Sequence, residues 1–141
     1  MDYQQQGLRP RCFFMEGFME LTIAGEIYQF KFGMGFLREI NKQVKVPVAD
    51  VPDFEKNVGL AMAVGNLIDG DVETLADVLF IGNRGQKPRL TMAAIEAYID
   101  DPDTDIDELF DMVLDFLESS NACRKTVRQM KTEAEKLAAN Q

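Results

Sequence analysis

From Met19 the chain alternates polar and apolar residues: Glu20-Leu21-Thr22-Ile23, then Ala24-Gly25-Glu26, then Ile27-Tyr28-Gln29-Phe30-Lys31-Phe32. Alternation with a period of two, broken by a glycine turn, predicts a β-hairpin with one face buried. Gly33 to Gly35 break the strand, and Phe36, Leu37, Ile40 and Val44 recur at helical spacing. Val46-Pro47-Val48 through Pro52 carries two prolines, which cannot continue a helix, and this stretch is expected to be a loop. Residues 57–68 (NVGLAMAVGNLI) are apolar around nearly the whole helical wheel, the pattern of a helix at the centre of a core. Asp69-Gly70-Asp71 ends that helix and caps the next, which carries Val72, Leu75, Ala76, Val78, Leu79 and Phe80 up to a stop at Asn83-Arg84-Gly85. Thr91 caps a short helix with Met92, Ile95, Tyr98 and Ile99, Pro102 closes it, and Asp105 caps a long helix from Ile106. The expected fold is mainly α, a single helical domain with a small N-terminal β-hairpin.

On the long helix Ile106, Leu109, Phe110, Val113, Leu114 and Leu117 repeat at spacings of three and four, an ordinary core face. Met112 and Phe116 widen the apolar arc to about 200°, more than a helix needs to pack on its own core, and so point to a second partner. Farther along, Cys123, Val127, Met130, Ala134 and Leu137 recur at alternating spacings of four and three among Lys, Arg, Glu and Gln, a narrow heptad seam. Two arrangements are open. A helix unbroken through Ser119-Ser120-Asn121 puts this seam in phase with Leu109, Met112 and Phe116, as one stripe from Leu109 to Leu137. A break at Ser-Ser-Asn instead caps a second helix that folds back on the domain, the commoner fate of such a stripe. Under either arrangement the basic, weakly apolar tail is a detachable or partner-dependent element. The candidate protein-binding residues are Leu109, Met112, Phe116, Val127, Met130 and Leu137.

Composition narrows the function. A chain of 141 residues, 46% hydrophobic and 28% charged, suits one compact domain with a single core. It contains no His and no Trp, which removes the commonest general base and the commonest neutral metal ligand. A net charge of −9 opposes binding to phosphate backbones, so nucleic acid is not expected as a partner. Cys12 and Cys123 lie far apart and give no support for a structural disulfide. No apolar run reaches the roughly 18 residues needed to span a bilayer, and Cys12-Phe13-Phe14-Met15 is too short for a signal-peptide core, so the expected location is the cytoplasm.

Residues 1–18 (MDYQQQGLRPRCFFMEGF) show no usable periodicity and read as a flexible leader or a translated upstream segment. Codons for Met15-Glu16-Gly17-Phe18-Met19 admit a purine-rich ribosome-binding sequence just before Met19, which leaves Met1, Met15 and Met19 open as the start. The domain is expected over 19–120, with a basic C-terminal helix or tail over 121–141.

Several motifs offer chemistry and then withdraw it. Asp101, Asp103 and Asp105 match the first three ligand positions of an EF-hand loop. Ile106 then stands where the sharp turn needs Gly, and Met112 where a bidentate Glu belongs, so a solvated acidic helix start is the better reading. Gly82-Asn83-Arg84-Gly85-Gln86-Lys87 lacks the glycine spacing and Lys-Ser/Thr pair of a phosphate loop and reads as a helix C-terminal cap. With no His, no Ser or Cys has a triad base. No cofactor, metal or catalytic residue is assigned, and the chain is not expected to be an enzyme.

Three stretches carry a family resemblance: MELTIAGEIYQFKFGMGFLREINK, VGLAMAVGNLIDGDVETLADVLFIGNRGQKPRLT and IEAYIDDPDTDIDELFDMVLDFLESSNACRKTV. In this order and spacing the chain resembles tail assembly chaperones of long, non-contractile tailed phages or prophages of Gram-positive bacteria, over about Met19 to Leu137. The resemblance implies a factor of the host cytoplasm that coats the tape measure protein, keeps that long helical polypeptide soluble and brings tail tube subunits to it. It also implies self-association in spiral fashion, absence from the finished virion and, in many members, a C-terminally extended form made by translational frameshifting. The residues agree where they speak, because a client with exposed apolar helix faces needs a binder with spare apolar surface, and methionine suits adaptable surfaces. A rival from another class is an acidic DNA mimic or other inhibitory interaction protein. Acidic residues crowd between Asp100 and Glu118 while 124–136 is basic, which does not make a long phosphate-like array.

Overall fold

The computed structural model describes residues 18–43, 45–48 and 51–140. Strands β1 (Phe18–Ile23) and β2 (Glu26–Lys31) form the expected antiparallel hairpin, with Leu21 opposite Tyr28 and Ile23 opposite Glu26. The connecting residues Ala24 and Gly25 both take positive φ, 53° and 80°, the backbone of the tight turns whose twist matches a hairpin. Alternation places Met19, Leu21, Ile23 and Phe30 in the core, followed by Phe32 just past the strand, while Thr22 and Lys31 face out. The leader expected over 1–18 lies outside the described residues, except for Phe18 at the start of β1.

Helix α1 (Met34–Lys42) follows, burying Phe36 and Ile40; Val44, expected at its end, lies outside the described residues. The stretch expected to be a loop contains a second antiparallel hairpin, β3 (Lys45–Val48) with β4 (Val51–Asn57). The prolines exclude a helix but not an extended ribbon. In a two-stranded sheet both strands are edges, where a residue without an N–H is tolerated. The ladder is irregular between Pro47 and Val48.

Helix α2 (Gly59–Ile68) then packs against α1, α3 (Val72–Gly82), α5 (Ile106–Ser119) and α6 (Arg124–Ala139), the central position expected of its sequence. Gly59 makes this possible, since a Cβ there would collide with the backbone of Ile40 and Asn41 in α1. At the same crossing the Leu60 N–H donates to Asn41 Oδ1 at 2.9 Å, so a side chain from α1 satisfies the uncapped start of α2. Three other starts are capped as expected: Asp71 for α3, Thr91 for α4 (Met92–Asp100) and Asp105 for α5 each accept a backbone N–H two or three residues on. The fold is therefore mainly helical with an N-terminal hairpin, as its patterning predicts.

The Gly82–Lys87 stretch is the end of α3, and its Asn83 is fully buried. The Asn83 amide donates to the Gln29 carbonyl at 2.9 Å and to that of Pro88 at 3.3 Å, and its Oδ1 accepts the Leu90 N–H at 2.6 Å. One side chain thereby joins α3, β2 and the segment leading to α4. Asn83→Ala is expected to cost about 2 kcal/mol, because the cavity leaves buried polar groups unpaired. A shift of the urea midpoint checks this, and an unchanged midpoint would remove Asn83 from the fold's supports. Burial pushes the Cys123 thiol up to about 11. In a Cys12→Ser background Cys123 should resist iodoacetamide at pH 8 in the native protein and react on addition of urea. Rapid native labelling would contradict its burial.

Candidate protein-binding surfaces

Helix α5 is amphipathic over its whole length. Leu109, Val113, Leu114, Phe116 and Leu117 are buried and Ile106, Phe110 and Met112 are half-buried. The width of its apolar arc therefore has an internal cause. Phe116 stands edge-on to Phe32 with centroids 6.4 Å apart, and Phe32 in turn meets Phe36 at 5.0 Å. The second surface that the arc meets is the chain's own hairpin end together with α6, so the arc by itself does not require another protein.

Between α5 and α6 the helix breaks. Ser120 leaves α5 with extended backbone, ψ 130°, and the N–H groups of Cys123 and Arg124 then bond to the Ser120 carbonyl at 3.2 and 2.8 Å. The Ser120 hydroxyl and the Cys123 thiol both donate to the Phe32 carbonyl, and the Arg124 guanidinium covers the Glu118 and Ser119 carbonyls at the end of α5. The folded-back arrangement is the one adopted, and a continuous stripe from Leu109 to Leu137 is not formed.

Helix α6 lies on α2 and α5, and its seam fades along its length. Cys123 and Val127 are fully buried, Met130 and Ala134 are half-buried, and Leu137 is 66% exposed. Residues 135–140 are all exposed, so the end of α6 projects past the body. Outside the seam Glu118 of α5 accepts Lys131 at 2.6 Å and Arg128 at 3.3 Å, and these hydrogen bonds hold its carboxyl below the usual range. Of the six residues that the sequence singles out, Leu109, Phe116 and Val127 are interior, Met112 and Met130 are at the boundary, and Leu137 is at the surface.

Among the residues whose side chains are described, the other large apolar side chains in the open are Ile27, Met34, Met62 and Val72. Sequence patterning misses Met62 because α2, apolar on every side, gives no phase from which to tell its one exposed edge. Met34 stands at the rim of a cleft of about 720 Å³, lined also by Lys31, Phe36, Ile81 and Arg84. Glu39 in that cleft is engaged by Arg84 at 2.6 Å and Lys42 at 3.2 Å, and the Lys42 bond is the main cause of its lowered carboxyl pKa. The cleft offers apolar contact and charge, and its carboxylate, Glu39, is engaged. The acidic run before α5 has local structural tasks: Asp101 accepts the Asp103 N–H, Thr104 donates to the Tyr98 carbonyl, and Asp105 is the cap. No group of three His, Cys, Asp or Glu is placed to hold a metal among the described residues. Nor is any helix there long and apolar enough to cross a membrane.

Among the described residues, the features that stand out as candidate surfaces are helix faces. A family model described as phage tail assembly chaperone protein, TAC, matches residues 20–131, from the first hairpin into the middle of α6. No curated protein and no solved structure matches the chain. The match covers well over half of the sequence and both hairpins, α1 to α5 and the buried part of α6, and the chain accordingly belongs to the phage tail assembly chaperone family.

Proposed function

We propose that this chaperone binds the tape measure protein during tail morphogenesis, keeps it soluble, brings tail tube subunits to it and associates with copies of itself in the host cytoplasm. The observation that carries the reading is the shape of α6. Its seam begins inside the core at Cys123 and Val127 and ends in the open at Leu137, so one apolar stripe is anchored at one end and offered at the other. A helical client can extend such a stripe by laying its own apolar face along it. Met130 and Met112 flank the anchored part and can adapt to different side chains. Leu109, Phe116 and Val127 join the contact only when α6 swings away from the body. In this reading residues 121–141 are the detachable element and 19–120 the body that remains.

Co-expression with the tape measure protein tests the proposal. The parent should keep the client soluble and co-purify with it. Leu137→Glu should reduce co-purification while leaving helical circular dichroism unchanged and stability within about 0.5 kcal/mol, because the side chain it replaces is at the surface. A client that precipitates equally with and without this chain would overturn the chaperone role for that client. Full co-purification of Leu137→Glu would instead move the contact away from the end of α6.

A further inference from the structure

Helix α6 is the most lightly held of the helices packed on α2. One of its 16 residues, Val127, is buried, against five of ten in α2 and five of 14 in α5. Residues 135–140 are all exposed, and the link back to α5 is the short turn over 120–123. Little apolar burial therefore opposes its departure.

The seat beneath α6 belongs to the body. Gly65 of α2 leaves a notch for Met130, whose Cε would lie 3.2 Å from a Cβ added there. Glu118 of α5 stands at the rim and accepts Arg128 at 3.3 Å and Lys131 at 2.6 Å. Onto this seat α6 lays Cys123, Val127, Met130 and Ala134, at spacings of four, three and four, with a basic residue directly after each of the two middle positions. The helix that occupies the seat within one chain specifies what else the seat can hold.

We infer that the seat of α6 on α2 and α5 is the docking site for a client helix of the same chemistry, with α6 as its internal occupant. This rests on the detachment of residues 121–141 proposed above and names the surface uncovered and the helix it takes. That helix presents apolar side chains no larger than Met at spacings of four, three and four, with Lys or Arg after the two middle positions to meet Glu118. A carboxylate at either basic position is rejected by Glu118. Tethered α6 competes at an effective concentration on the order of millimolar, so a client binds weakly until α6 is loosened.

Fluorescence anisotropy with a labelled synthetic peptide of residues 121–140, under reducing conditions, tests this on the full chain. Arg128→Glu with Lys131→Glu sets like charges against Glu118 and loosens α6 without altering the seat. The peptide should bind this charge variant at least about tenfold more tightly than the parent. Val127→Asp should act in the same direction. Glu118→Lys added to the charge variant should abolish the gain, because it pairs α6 again and repels the peptide. Both residues of the charge variant reach solvent, and circular dichroism checks that the body stays helical. Unchanged affinity in the charge variant overturns the inference, whether or not Val127→Asp folds, and so does a gain that survives Glu118→Lys. Co-expression with the tape measure protein separates this claim from the one it rests on. The complex of the charge variant with that client should take up no peptide. A complex that takes up peptide as fully as the free variant overturns the seat and leaves the chaperone role standing, whereas a client that precipitates while the peptide still exchanges does the reverse.

Discussion

The arrangement depends on Phe32. Its ring lies between Phe36 of α1 and Phe116 of α5 and against Gly82 of α3, where a Cβ would come within 2.5 Å of it. Its carbonyl accepts both the Ser120 hydroxyl and the Cys123 thiol. A residue at the exit of the first hairpin thereby sets the position of three helices and the turn into a fourth. The ring is held by shape and burial and the carbonyl by direction, so the contact fixes orientation as well as distance.

From that point the rest of the molecule follows. Asn83 ties the end of α3 to the same hairpin through its fully paired amide, and Gly59 lets α1 and α2 touch backbone to backbone. With the α5–α6 turn pinned to Phe32, α6 must fold back across α2, where Gly65 leaves room for Met130. The same constraint decides which surfaces stay open. It covers the first half of the seam of α6, leaves Leu137 in the open, and turns the acidic side of α5 outward. For the proposed binding through such faces, specificity lies in where the apolar stripe ends and where charge is displayed.

Much of this was legible because it is written locally. The hairpin shows in the alternation from Met19 to Phe32, and the caps at Asp71, Thr91 and Asp105 are read from residue type and position alone. The break after α5, with Ser119-Ser120-Asn121 as its signal, is the favoured of two arrangements, but the local pattern does not decide it. The choice belongs to Phe32, roughly ninety residues earlier, through bonds that no local pattern contains. The second hairpin went unread because Pro47 and Pro52 state what the segment is not, and only a partner strand states what it is.

The sequence by itself determined the helical class, the first hairpin, the cap positions, the two apolar stripes and the sign of charge along α5 and α6, since each follows from periodicity and residue chemistry over a few turns. Only the tertiary structure decided that Phe116 and Val127 are interior, that Leu137 is exposed, and that the wide arc of α5 is filled by the chain itself. A stripe records that a helix has an apolar side. What covers that side depends on elements distant in sequence, and the close packing of Phe32, Gly82 and Phe116 is the physical event that assigns it.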